Sequence, residues 1–139
     1  MRFKFYAALM ILAFAVSSCE IGDDDGAIPV QFEVVAITGV DIDDTFEFGE
    51  TNEITIRYNL PSDCHSFEGF NVQSLLNNRE VRVVTGFVDV GDCVRELKPE
   101  EQTLEFLAAS NGTYNFKFFT GFDENNEPEF LEYEVEVED

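Results

Sequence analysis

The chain divides by its apolar and polar positions into a continuous apolar run from Phe5 to Val16, an acidic segment to about Pro29, and a long remainder of brief alternating runs. In that remainder alternation at period two recurs. A 3.6-residue period is absent except for a weak one over 98–107, so the pattern predicts an all-β domain. Val30 to Val40 predicts the first strand, with Phe32, Val34 and Ala36 on one face. Asp41, Asp43, Asp44, Glu47, Glu50 and Glu53 then crowd a turn region around Phe46 and Phe48. Ile54, Ile56, Tyr58 and Leu60 alternate with Thr55, Arg57 and Asn59, a half-buried strand that Pro61 stops.

Phe67 to Leu76 and Arg79 to Val90 predict a hairpin around Asn77-Asn78, a pair that tolerates positive φ. Val83-Val84 and Val88 to Val90 place apolar residues on both faces of its second strand, and Gly86 is the expected bulge that switches the facing. Beyond Gly91-Asp92-Cys93, a short segment reaches Leu97, Pro99-Glu100-Glu101 predicts a turn or single helical turn, and Thr103 to Leu107 another strand. The last hairpin is the most constrained. Pairing Tyr114–Thr120 with Glu129–Val137 so that Phe116 faces Tyr133 places Tyr114 opposite Val135 and Phe118 opposite Leu131, all apolar. The same register sets Lys117 opposite Glu132 and Asn115 opposite Glu134, so one alignment satisfies both faces of a half-buried antiparallel pair. It also brings Phe119 opposite Phe130 on the polar face, near Phe122.

About seven to nine antiparallel strands suffice for two packed sheets, and the expected fold is an immunoglobulin-like β-sandwich over residues 30–139, with an eight-stranded barrel as the alternative. Antibody-type domains carry a buried Trp and a disulfide between facing strands. Here there is no Trp, and Cys64 and Cys93 fall at strand ends.

The apolar run determines where the chain goes. Arg2 and Lys4 precede it and Ser17-Ser18 close it, the order of a secretory signal. Twelve residues of helix cover only about 18 Å of a roughly 30 Å hydrocarbon core, which favours cleavage over a permanent span. Val16-Ser17-Ser18-Cys19 resembles the lipobox of bacterial lipoproteins, with Val and Ser standing for the usual Leu and Gly or Ala. The resemblance implies that residues 1–18 are removed and that Cys19 carries the acyl chains. Glu20 and the triplet Asp23, Asp24 and Asp25 resemble the acidic export signal of Bacteroidota-type lipoproteins, which implies the outer face of the outer membrane. Residues 19–29 then form a tether, and ten residues from Glu20 to Pro29 reach at most about 33 Å.

Charge narrows the partners. Eight basic side chains stand against 29 acidic ones, a formal charge of −21, and nucleic acid is excluded as a partner because its phosphates require basic neutralisation. Fifteen Phe and four Tyr nevertheless supply a core, so the acidity marks a solvated surface and not disorder. Lipidation of Cys19 leaves Cys64 and Cys93 as an even pair in a compartment where disulfides persist. Their bond closes a loop worth about 3.5 kcal/mol on the chain-entropy account. A metal site from Cys64, His65 and Cys93 lacks a fourth soft ligand.

Catalytic signals are thin. His65, the only His, adjoins Ser66, but neighbouring residues rarely meet as base and nucleophile, and no G-x-S-x-G motif accompanies them. The clusters Asp41 to Glu53 and Asp123, Glu124, Asn125 and Glu127 offer hard oxygen ligands for Ca2+, yet neither matches a calcium-loop pattern, and no cofactor is expected. The expected function is a non-catalytic binding or interaction module on a lipid anchor, accessory to an outer-membrane assembly, with a protein or glycan as partner. The alternatives are a carbohydrate-binding module presenting Phe119, Phe122 and Phe130 as an aromatic patch, and a small hydrolase.

Overall fold

The computed structural model describes Gly26 and residues 28–139. The apolar run, Cys19 and the Asp23–Asp25 triplet lie outside the described residues. Nine strands follow: β1 (Gln31–Val35), β2 (Ile37–Asp41), β3 (Thr45–Glu47), β4 (Thr51–Leu60), β5 (His65–Leu75), β6 (Asn78–Phe87), β7 (Lys98–Leu107), β8 (Gly112–Phe122) and β9 (Pro128–Glu138).

They form a β-sandwich of a six-stranded and a three-stranded sheet. In the larger sheet β5 lies along one edge of β6. The other edge of β6 is divided: β1 runs antiparallel against Val83–Phe87, and β8 runs parallel against Asn78–Val81. β9 pairs with β8, and β3 lies parallel to the end of β9. β6–β8 and β3–β9 are thus two parallel pairs in an otherwise antiparallel fold. The smaller sheet has the order β2-β4-β7. Because the sheets share no strand pairing among the described residues, the barrel alternative does not apply.

The core is the inward face of both sheets. Ile54, Ile56, Tyr58 and Leu60 from β4 meet Val81 and Val83 from β6 and Tyr114, Phe116, Phe118 and Val135 from the last hairpin. That hairpin has the expected register from Gly112↔Val137 to Phe119↔Phe130, after which a bulge shifts it at Gly121.

Three local expectations differ. Residues 30–40 make two strands, because the chain crosses from one sheet to the other at Ala36. Val35, Ile37 and Val40 are therefore buried, while Phe32, Val34 and Ala36 face outward. The bulge expected at Gly86 sits on the partner strand, between Phe67 and Gly69. Gly86 serves instead as the floor under Glu68, whose carboxylate a Cβ at that position would meet at 2.6 Å. Finally, 98–107 is one continuous edge strand with no helical turn, its charges lying along a rim that needs no second partner strand.

Strand directions give the sandwich two distinct ends. The chain enters β1 beside Phe87, at the end that also holds the 61–64, 88–97 and 123–127 connections. The opposite end holds the 42–44, 48–50, 76–77 and 108–111 connections and the C-terminus.

Candidate binding surface

The β5–β6 hairpin closes at the pair Leu75↔Asn78, which makes Leu76-Asn77 its two-residue turn instead of the expected Asn77-Asn78. Tight hairpin turns require positive φ and take Gly, Asn or Asp for that reason. Here the positive φ, 54°, falls on Leu76, where a Cβ costs about 1–2 kcal/mol. Leu76 is 86% exposed and Leu75 72%.

The surroundings hold this unfavourable conformation in place. Arg79 Nη1 donates to the Leu76 carbonyl at 2.7 Å, and Asn78 Nδ2 donates to the Leu75 carbonyl at 3.2 Å. Asn77 bridges to the neighbouring connection: its Nδ2 donates to the Thr113 carbonyl at 3.2 Å, and its own carbonyl accepts the Asn115 N–H at 2.9 Å. The Arg79 guanidinium in turn lies 5.1 Å from the centre of the Tyr114 ring. The two asparagines that suggested the turn are thus anchors, and they present two leucines on a rigid tip. From Gly69 to Asn78 the chain carries no charge, and among the described residues no strand pairs with the outer edge of β5, leaving backbone donors and acceptors beside the tip.

A second feature opens at the other end of the sandwich. Cys64 and Cys93 are joined at 2.01 Å, tying the 61–64 connection to the 88–97 loop, and beside them lies a cleft of about 540 Å³ lined by Glu33, His65, Phe87, Asp89 and Arg95. His65 does not engage Ser66. Its Nδ1 lies 2.6 Å from Ser62 Oγ and its Nε2 lies 3.0 Å from Glu33 Oε2, while the ring packs 4.8 Å from Phe87. A proton on Nε2 toward Glu33 leaves Nδ1 to accept from Ser62, the logic of a serine–histidine–carboxylate relay. Yet Ser62 is 2% exposed and its Oγ already accepts the Cys64 N–H at 3.1 Å. That hydroxyl fastens the turn, and Ser62, little exposed as it is, also lines the cleft. The disulfide likewise removes the thiolates from the Cys64, His65 and Cys93 metal set. Asp63 lies near both sulfurs, but its Oδ1 accepts the Val94 N–H at 2.8 Å.

The three phenylalanines do not form one open platform. Phe119 is 3% exposed, with the Arg82 guanidinium 4.6 Å above its ring, and Arg82 is held by Glu80 at 2.7 Å. Phe130 is half-buried and also beneath Arg82, whereas Phe122 is exposed. The cover is one strand away, on β6.

The acidic clusters are used locally. Asp123 Oδ1 accepts the Asn125 and Glu127 N–H groups, which shapes the β8–β9 turn. Asp41 pairs with Arg57, whose hydrogen bond holds the carboxyl below the usual carboxylate range. Glu47 does the reverse to Glu50: a shared hydrogen bond and like charge raise the Glu50 pKa. Burial raises the Tyr58 pKa; among the described residues its enclosed hydroxyl has no partner in hydrogen-bond geometry, although the Gln102 side chain approaches it.

Comparison of the chain with protein-family models, with curated proteins and with solved structures finds no match.

Proposed function

We propose that this chain is a surface-anchored lipoprotein of the outer membrane, acylated at Cys19 and exported through its Asp23–Asp25 signal, that acts as a non-catalytic interaction module. Its binding element is the β5–β6 tip, and its partner is a protein offering an apolar pocket to Leu75 and Leu76, as an accessory to an outer-membrane assembly. The observation that carries this is Leu76, which combines an unfavourable backbone conformation with an apolar side chain in water, neither of which stabilises the fold. Strain of this kind collects where function requires a fixed geometry. The adjoining free edge of β5 adds main-chain hydrogen bonds for a partner segment.

The experiment is capture of partners by the intact, acylated protein from gently solubilised membranes, compared with a Leu75→Lys/Leu76→Lys variant. One protein retained by the wild type and lost from the variant, with both equally folded, supports the reading; an unchanged set of retained proteins refutes it. Cys19→Ala should release the protein from the membrane fraction, and replacing Asp23, Asp24 and Asp25 by Ala should shield it from protease added to whole cells without altering thermal unfolding.

Carbohydrate binding is the second reading, now favoured by the cleft and not by the phenylalanine trio. Phe87 supplies an apolar wall and Glu33, Asp89 and Arg95 supply polar groups around it, the composition that suits a sugar ring. Glycan-array binding that Arg95→Ala abolishes and Leu76→Lys leaves intact would establish it over the first.

A further inference from the structure

The tether enters the sandwich at the end that also carries its exposed apolar loops, and from this we infer that the N-terminal end of the domain rests directly on a zwitterionic lipid surface. The inference depends on acylation of Cys19. Ile28 is nine residues beyond that cysteine, so its backbone lies within about 30 Å of the anchored sulfur. Ile28 and Val30 are exposed, as are Val90, Val94 and Leu97 in the 88–97 loop. That loop departs from Phe87, the residue against which β1 begins at Gln31. Phe122 is exposed at the same end of the larger sheet. The disulfide fixes the loop to the 61–64 connection, so the apolar residues project from a stiff base.

Charge bears on which lipid this end meets. Asp41, Asp43, Asp44, Glu47, Glu50 and Glu53, with Glu136, Glu138 and Asp139, gather toward the far end, and the tether end is acidic as well. At the tether end Asp63 and Asp89 each direct an oxygen to a backbone N–H, of Val94 and Gly91. Glu33 lies against His65 and Asp123 holds its own turn, while Asp92, Glu96, Glu124, Glu127 and Glu129 remain, against Arg95 and Lys98. That acidic excess and the whole-chain charge of −21 oppose approach to anionic lipid and leave a zwitterionic surface as the compatible one. A weak contact is sufficient, because a short tether holds the end near the surface at an effective concentration of about millimolar. In this orientation the Leu75-Leu76 tip points away from the membrane.

The test uses the acylated full chain in phosphatidylcholine vesicles, with flotation to report anchoring and hydrogen exchange to report docking. Backbone amides of 88–97 should exchange at least about five-fold more slowly on vesicles than in unacylated Cys19→Ala protein, with 42–50 and 108–111 unchanged. Val94→Asp/Leu97→Asp should float equally well and lose the slowing, and phosphatidylglycerol vesicles should weaken it. Flotation without slowing at 88–97, or slowing that survives the double substitution, overturns docking and leaves the anchor standing. Failure of the wild-type chain to float overturns the anchor itself, and docking with it.

Discussion

Phe116 is the residue whose removal should damage the fold most clearly. It is 1% exposed and is ringed by Phe106 at 5.1 Å, Phe46 and Phe118 at 6.0 Å and Tyr114 at 6.2 Å between ring centres. Those neighbours are stiff and belong to four different strand positions, so they collapse poorly into a vacated site. Phe116→Ala should therefore cost about 4–5 kcal/mol, the upper part of the range for a core aromatic. The adjacent Lys117 faces the other way, its side chain 47% exposed and 3.4 Å from Glu132, itself 66% exposed. Screened by water, that pair contributes at most about 1 kcal/mol, and Lys117→Ala should cost no more. In urea, with the disulfide intact, the Phe116 variant should unfold at a midpoint lower by on the order of 2 M, and the Lys117 variant close to wild type. Greater damage from Lys117→Ala would refute the register and the core built on it, because a one-residue slip exchanges the two faces.

Leu76→Gly should raise stability by about 0.5–1 kcal/mol, since Gly adopts the φ of 54° without the side-chain clash; a loss of stability in thermal unfolding would show that Leu76 contributes packing instead of bearing strain. Replacing Cys64 and Cys93 together by Ala should lower stability by about 3.5 kcal/mol, the loop-closure value, and a change under about 1 kcal/mol would contradict a fold in which this bond fixes the 88–97 loop. For Glu50, a folded-state pKa raised by Glu47 favours folding below the unfolded pKa and loses that contribution as pH rises through the folded one. Glu50→Gln should accordingly raise the melting temperature near pH 7 and leave it unchanged below about pH 4; an equal rise at both would assign the effect to something other than charge.

Much of the fold was legible because alternation within one strand constrains its partner. The last hairpin carries apolar residues on one face and opposite charges on the other, and only one register satisfies both. Where a residue's environment comes from a distant strand, the pattern was silent or misleading. Phe32 and Val34 look inward by hydrophobicity alone, but the chain changes sheets at Ala36 and turns Val35 and Ile37 to the core. Asn77-Asn78 has the composition of a turn, yet those side chains are committed to Thr113 and Leu75, and the turn shifts onto Leu76. The relay of Ser62, His65 and Glu33 joins two strands 32 positions apart, and Arg82 covers Phe119 from β6, neither of which leaves a local trace. The tip had one faint signal, two leucines in an uncharged stretch of a strongly acidic chain.

On the proposed function, the Leu75-Leu76 tip is the part of the domain that meets another protein. A photoreactive amino acid placed at position 76, and separately at position 122, in the acylated chain expressed in intact cells tests it most directly. The expected result is a discrete protein adduct from position 76 that Leu75→Lys suppresses, with no such adduct from position 122. The same adduct from both positions, or one from position 122 alone, would contradict it.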